Sequence, residues 1–116
     1  MTESTLSAGK LSIVGTPIGN LSDTSPRVKE TLAAADVILC EDTRVTSKLL
    51  SAFDIHVPLQ RCDQNIIESQ IEPTLERLRA GQHVAFVSDA GMPGISDPGQ
   101  HLVDAALSEG LATEVI

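Results

Sequence analysis

The chain has 116 residues, enough for one domain with its own core, and its 41% hydrophobic content is typical of folded globular proteins rather than disordered ones. Its 16 acidic and 8 basic residues give a formal charge of −8, which disfavours direct contact with nucleic-acid backbones and anionic membrane surfaces. No apolar run approaches the roughly 18 residues of a membrane span, and MTESTLSAGK does not resemble a signal peptide, so we expect a cytoplasmic protein without membrane contact.

The thiols and imidazoles of the chain show no pattern of a metal site. Cys40 and Cys62 are 22 positions apart, which matches no metal-ligand spacing, and we expect both to be reduced, buried thiols. The histidines at 56, 83 and 101 are scattered along the chain. We therefore expect no bound metal.

Short apolar runs alternate with helical patterns from the start of the chain. After a polar leader at 1–9, expected to be flexible, LSIVG at 11–15 predicts a strand, and Ser25-Pro26 then predicts a capped helix start. DVILC at 36–40 is the second predicted strand, and Thr43 to Phe53 has helical spacing. Three residues of that helix are expected on one face: Val45, Leu49 and Phe53.

The alternation continues to the end of the chain. VPLQR at 57–61 is a weaker third strand, and Asn65 to Ala80 predicts a helix in which Pro73 causes a kink or a fresh start. HVAFVSD at 83–89 is the fourth strand, followed by a helix that Asp97 caps. ATEVI at 112–116 is the fifth strand. The residues of the last helix that are expected to pack inward are Leu102, Val103, Ala106 and Leu107.

Alternating strands and helices predict an α/β fold. The strands are continuous apolar runs, which is typical of an open, mainly parallel sheet with helices on both faces. Ligands of such sheets bind outside the carboxyl ends of the strands. The loops that follow the strands are therefore the places to search for a site.

The first strand is followed by GTPIGNLSD at 15–23. Its two glycines, Gly15 and Gly19, would let the backbone approach a ligand closely. The spacing fits neither a Walker loop nor a dinucleotide-binding fingerprint, and a plain turn is the alternative.

The second and third strands are followed by EDTR at 41–44 and RCDQN at 61–65. Two adjacent acids at a crevice indicate possible chemistry, but Asp42 or Thr43 would also cap the next helix, and Arg44 could pair with an acid. In RCDQN we expect ordinary roles, with Asn65 as a helix cap and Asp63 in a solvated turn.

The fourth strand leads into the twelve-residue stretch SDAGMPGISDPG at 88–99. Asp97 has a local task as a helix cap, but Asp89, Gly91 and Gly94 do not. Long loops of this kind are often binding loops. We therefore favour a functional loop here.

Four segments together resemble the tetrapyrrole methylase superfamily, and most closely its branch that methylates small-subunit ribosomal RNA. They are TPIGNL at 16–21, ADVILCEDTR at 35–44, LERLRAGQHVAFVSDAG at 75–91 and ISDPG at 95–99. The resemblance implies an S-adenosylmethionine-dependent enzyme that methylates the ribose 2′-hydroxyl of a cytidine in the decoding region of the ribosome. It also implies a homodimer of two-domain subunits with the cofactor between the domains. Residues 10–116 would then be the N-terminal α/β domain of a longer methyltransferase, inactive alone.

The resemblance also implies roles for individual residues. The implied cofactor-binding residues are Pro17, Gly19, Asp89, Ala90, Gly91, Pro93, Ile95 and Ser96. The implied substrate-facing residues, which are the candidates for catalysis, are Glu41, Asp42 and Arg44. Since a ribose hydroxyl must lose its proton, Glu41 or Asp42 could act as the general base.

The sequence departs from the family pattern at three places. Met92 stands where the family usually has threonine, and Gly94 where it has a larger apolar residue. A histidine-rich segment of the family is replaced by Cys62-Asp63-Gln64, beside the matching Asn65. These departures bear on the substrate more than on the cofactor.

Three other functions compete with the RNA methyltransferase. The first is a tetrapyrrole C-methyltransferase of the same superfamily, and the second is a non-catalytic nucleotide-binding or dimerisation module. The third is a magnesium site of Asp89, Asp97 and Glu41 for phosphoryl chemistry, which no standard acidic motif supports. TPIGNL and EDTR favour the RNA enzyme over the tetrapyrrole enzyme, because in these two segments the resemblance is to the branch that methylates RNA.

Overall fold

The computed structural model describes residues 9–15, 25–88 and 98–116, in which strands and helices alternate as predicted. The strands are β1 (Lys10–Gly15), β2 (Val37–Cys40), β3 (Leu59–Arg61), β4 (His83–Ser88) and β5 (Ala112–Val115). The helices are α1 (Pro26–Ala34), α2 (Thr43–Ala52), α3 (Ile67–Arg79) and α4 (Pro98–Ser108). Within these ranges, no helix is both long enough and apolar enough to cross a membrane.

The five strands form one open sheet in the order β3-β2-β4-β1-β5, and every neighbouring pair is parallel. All strands therefore begin at one edge of the sheet and end at the other. We call these the amino edge and the carboxyl edge. The predicted open, parallel α/β architecture is confirmed.

The sheet carries a buried apolar cluster on each face. On one face, Leu11 and Ile13 of β1 lie in register with Val84 and Phe86 of β4, and α3 and α4 cover them. On the other face, α1 and α2 cover a cluster that includes Val14. Side chains alternate between the two faces along each strand, so each face has its own apolar cluster. Since helices cover both clusters, the prediction of helices on both faces is confirmed.

Two residues predicted to face the core are exposed instead. Val45 of α2 is 50% exposed and Leu107 of α4 is 57% exposed. In α2 the buried residues are Thr46, Leu49 and Leu50. Helical spacing leaves the choice between adjacent residues open, and contacts with the sheet decide it.

The predicted features of α3 are only partly right. The helix begins at Ile67 rather than Asn65, and Asn65 is not its cap, because Ile66 occupies that position without a side-chain hydrogen bond. The helix runs through Pro73 without a fresh start. One hydroxyl, that of Thr74, donates to the carbonyl of Gln70 over 2.7 Å next to the proline.

A polar network joins β1, β4 and β5 near the amino edge. The buried Ser12 hydroxyl donates to Glu114 Oε2 over 2.7 Å, and Ser12 Oγ also lies 2.8 Å from His83 Nε2. Glu114 also pairs with Lys10 Nζ at 3.1 Å. The backbone N–H of His83 donates to Asp36. These contacts satisfy polar groups at a point where three strands meet.

The chain enters the sheet through Gly9, where no other residue fits. A Cβ built on Gly9 would lie 2.1 Å from the carbonyl oxygen of Gln82 and 2.8 Å from that of Leu78. The backbone N–H of Gly9 donates to the same Leu78 oxygen over 2.8 Å. The approach of two backbone segments therefore requires glycine at this position.

Candidate functional site

The topology directs attention to the carboxyl ends of β2 and β4, which are neighbours in the sheet. The connection after β2 runs through α2 on one face to the outer strand β3, whereas the connection after β4 runs through α4 on the other face to β5. Chain segments that leave neighbouring strands in opposite directions open a crevice between them, and ligands of open α/β sheets bind there.

Asp42, just after β2, is the N-cap of α2. Its Oδ1 accepts the backbone N–H of Arg44 over 2.9 Å, and the Arg44 side chain donates to both Asp42 oxygens at 3.3 Å. These Arg44 hydrogen bonds hold the pKa of Asp42 below its ordinary value. The capping role, expected for Asp42 or Thr43, is confirmed for Asp42, and so is the pairing of Arg44 with an acid.

Glu41 is the partly buried residue between β2 and this cap. Cys40 is in register with Val87, so Glu41 and Ser88 are the next residues on the two neighbouring strands. After burial and the charges of Asp63 and Cys40, the negative charge of Glu41 also contributes to raising the pKa of the Cys62 thiol. Glu41 therefore lies at the crevice that the topology predicts.

The turn after β3 is built by Asp63. Its carboxylate pairs with Arg61 Nε at 2.6 Å and accepts the backbone N–H of Asn65 over 2.9 Å. The hydrogen bond from Arg61 is the main reason that the pKa of Asp63 is lowered. Asp63 is thus a structural residue of the turn, more engaged than the solvated position that the sequence predicted.

A groove of about 710 Å³ lies between the start of α3 and α4. Gln64 and Asn65 line it together with Ser69 and His101. Gln64 belongs to the segment where the sequence departs from the family pattern. The neighbouring Cys62 is fully buried in the core and does not line the groove.

Ser88, the last residue of β4, was not among the predicted site residues. Only 4% of its surface is exposed, and its hydroxyl has no hydrogen-bond partner in the part of the chain that the structure describes. Its register partner is Gly15, the last residue of β1. A Cβ built on Gly15 would meet no described atom within 4 Å. The sequence shows a serine directly after the apolar residues VAFV of this strand, but not whether its hydroxyl has a partner.

The predicted cofactor loops lie outside the described residues, in segments 16–24 and 89–97. This concerns Pro17, Gly19, Asp89, Ala90, Gly91, Pro93, Ile95 and Ser96, together with Met92, Gly94 and the predicted cap Asp97. The structure does fix where the two segments are attached. They follow Gly15 and Ser88, which are paired on adjacent strands. Among the described residues, no group of three or more histidine, cysteine or acidic side chains could hold a metal ion.

Curated proteins with similar sequences carry a common name, ribosomal RNA small subunit methyltransferase I. The protein of Thermotoga maritima is 47% identical over 108 residues, which cover 93% of this chain and 49% of that protein. The protein of a Synechocystis species is 52% identical over 97 residues, which cover 84% of this chain and 35% of its own length. That of Borrelia garinii is 51% identical over 100 residues. The chain thus spans about half or less of the length of these relatives.

A solved structure and a family model complete the comparison. The crystal structure of uroporphyrin-III-C-methyltransferase from Thermus thermophilus has a TM-score of 0.73 and 22% identity, over 94% of this chain and 47% of that one. At this identity the likeness concerns the fold alone. The sequence model of the Tetrapyrrole (Corrin/Porphyrin) Methylases matches residues 10–116. By this match, and in agreement with its resemblance and its fold, the chain belongs to the tetrapyrrole methylase family.

Proposed function

We propose that this chain is the N-terminal domain of an S-adenosylmethionine-dependent methyltransferase that acts on small-subunit ribosomal RNA, at the ribose 2′-hydroxyl of a cytidine. The observation that carries the proposal is the 47% identity to the Thermotoga maritima relative, whose name states a ribosomal RNA methyltransferase. The sheet edge at β1, β2 and β4 supplies the place for the reaction. A second domain and a second subunit would complete the cleft.

The described residues at the carboxyl edge fit a polar small-molecule cofactor. The buried hydroxyl of Ser88 lacks a hydrogen-bond partner among the described residues, and no described atom fills the space beside Gly15. The loops that follow these two residues carry the proposed cofactor contacts, from Pro17 and Gly19 on one side and from Asp89 to Ser96 on the other. When bound, S-adenosylmethionine supplies a methyl group already activated on a sulfonium sulfur. The remaining task of the protein is alignment and proton removal.

Of the two acids after β2, Glu41 is the better general base. Asp42 caps α2 and accepts three hydrogen bonds from Arg44, and these lower its pKa, which makes it a weaker base. Glu41 is partly buried and lies level with Ser88 at the crevice. We assign proton abstraction from the ribose hydroxyl to Glu41 and a positioning role to Asp42. The exposed guanidinium of Arg44 lies where an RNA phosphate could pair with it.

The charge of −8 requires that most of the RNA-binding surface lies elsewhere. We assign the RNA-binding surface to the second domain and to the partner subunit of a homodimer. Since ribosomes are found in the cytoplasm, we place the protein there. A tetrapyrrole substrate is the competing choice within the family. The crystal structure that bears such a name shares only the fold with this chain, so it gives the tetrapyrrole no preference.

The proposal is tested on the full-length, two-domain protein by calorimetry with S-adenosylmethionine and by transfer of a labelled methyl group to small ribosomal subunits. We expect cofactor binding, together with methyl incorporation into the ribose of a cytidine. Absence of cofactor binding would refute the methyltransferase assignment. Labelling of a tetrapyrrole instead of the subunits would refute the RNA assignment alone.

The role of Glu41 is tested by Glu41→Gln in the same protein. Loss of the base is expected to lower methyl transfer by roughly 10²-fold or more while cofactor affinity stays unchanged. Glu30→Gln, on the exposed surface of α1, is the control and should retain full activity. Full activity of Glu41→Gln would remove Glu41 from the chemistry.

A further inference from the structure

We propose that the hydroxyl of Ser88 forms a hydrogen bond with S-adenosylmethionine and that Gly15 leaves the space into which this ligand fits. The inference rests on the proposed function and deepens it, because it assigns two residues of β1 and β4 to the cofactor site. Both residues belong to the described part of the chain and lie at the carboxyl edge of the sheet.

The two residues end a row of paired side chains on one face of the sheet. Leu11 pairs with Val84, then Ile13 with Phe86, and all four are buried and apolar. The next pair along the row is Gly15 with Ser88. The row therefore changes, at the carboxyl edge only, from large apolar side chains to a hydroxyl beside an empty position.

The buried hydroxyl of Ser88 needs a partner. A polar group removed from water without a hydrogen bond destabilises the folded protein, and native structures leave few such groups. Ser12 provides the contrast within the same sheet. It is also buried, but its hydroxyl contacts Glu114 at 2.7 Å and His83 at 2.8 Å, so its role is structural. Ser88 has no such partner among the described residues, which leaves its hydrogen bond available to a ligand.

The glycine at position 15 is not required by the fold that the structure describes. Gly9 is required by close backbone contacts, and Gly81 and Gly110 have φ values of 87° and 72°, which favour glycine. Gly15 is not among the described glycines with positive φ, and a Cβ there meets no described atom within 4 Å. A ligand seated beside Ser88 would explain why this position carries no side chain.

A neutral hydroxyl is suited to the polar atoms of the amino-acid or nucleoside part of S-adenosylmethionine, not to its sulfonium methyl group. S-adenosylhomocysteine has the same polar atoms and lacks the methyl group. Loss of the Ser88 hydroxyl should therefore weaken the binding of both compounds by a similar factor. This similarity distinguishes a binding contact from a role in methyl transfer.

The test measures ligand affinity and ligand-free stability separately, on the full-length protein. Ser88→Ala is expected to bind S-adenosylmethionine and S-adenosylhomocysteine roughly tenfold more weakly by calorimetry, the effect of one lost hydrogen bond. The ligand-free variant should resist denaturant at least as well as the wild type, because it no longer buries an unpaired hydroxyl. Gly15→Ala should likewise keep its stability and lose affinity.

Ser12→Ala is the matched control, and the opposite behaviour is expected for it. It should unfold at lower denaturant concentration, because His83 and Glu114 lose their shared partner, and it should bind both ligands with wild-type affinity. Wild-type affinity in Ser88→Ala, or a loss of stability like that of Ser12→Ala, would overturn the inference and leave the proposed function intact. No binding by the wild-type protein would instead refute the proposed function.

Discussion

At the scale of single residues, the two cysteines show how position decides chemistry. The backbones of Cys40 and Cys62 are adjacent, since the N–H of Cys62 donates to the carbonyl of Cys40 over 2.7 Å. Their side chains nevertheless belong to different apolar clusters on opposite faces of the sheet. They act as small buried apolar residues, as the sequence predicted, and their placement disfavours a disulfide between them.

The thiols should be inert in the folded protein. Burial and the charge of Asp63 raise the pKa of Cys62 to about 11, so its thiol stays protonated at pH 8, and both side chains are buried. We expect a thiol reagent such as DTNB to react with both only after denaturation in guanidinium. Rapid reaction of either thiol in the native protein at pH 8 would contradict this placement.

The candidate site could be predicted from sequence only where its residues have local signatures. EDTR was found because two acids and an arginine follow a strand, and the geometry then separates a cap, Asp42, from Glu41. Ser88 was overlooked, because nothing in a sequence distinguishes a buried serine with hydrogen-bond partners from one without. Ser12 and Ser88 each follow an apolar residue within a strand, and both are buried. They differ only in the hydrogen-bond partners around their hydroxyls.

At the scale of elements, the start of α2 depends on one side chain. Asp42→Ala should lower the free energy of unfolding by about 1 kcal/mol, because a backbone N–H of the first turn loses its acceptor. The exposed pair with Arg44 contributes little to this, since water screens it. Denaturant unfolding of the chain gives the measurement.

Asp42→Asn is the matched control, because an asparagine oxygen can still cap α2 while the negative charge is gone. It should unfold like the wild type and, in the two-domain protein proposed above, keep the proposed methyl transfer. A loss of stability as large as that of Asp42→Ala would assign the effect to the charge of Asp42. A loss of activity with unchanged stability would return Asp42 to the list of possible bases.

Elements were easier to predict than their packing. Apolar runs, the Ser25 cap and Pro26 mark strands and helices locally, and all are found in the structure. The order β3-β2-β4-β1-β5 joins residues far apart in sequence, such as Leu11 and Val84, and no local pattern encodes such a pairing. The prediction that Val45 and Leu107 face the core was wrong for the same reason. Whether a helical residue is buried depends on contacts with residues that are distant in sequence.

At the scale of the whole molecule, the network at the amino edge should make global stability depend on pH. The pKa of His83 lies below its ordinary value of 6.5. Burial is the main cause, and the charge of Lys10 is the second. Glu114, Asp36 and the carbonyl of Ala34 oppose this shift without reversing it. The unfolded chain therefore binds a proton more readily than the folded protein, so acid favours unfolding.

We expect the free energy of unfolding to be level above about pH 7 and to fall as the pH drops through 6.5. His83→Gln should reduce this fall between about pH 6.5 and 5, above the range in which carboxylates titrate. His56→Gln, which removes an exposed histidine outside this network, is the control for the loss of a histidine as such. An unchanged profile in His83→Gln would show that other groups cause the dependence.

The close packing of the chain at Gly9 has a practical consequence for binding experiments. Gly9 is held against Leu78 and Gln82 at the amino edge, whereas Gly15, Glu41 and Ser88 lie at the carboxyl edge. An affinity tag fused ahead of this glycine is therefore joined to the sheet at the end away from the proposed cleft. We expect immobilisation through such a tag to leave the carboxyl edge accessible to the large RNA substrate proposed above.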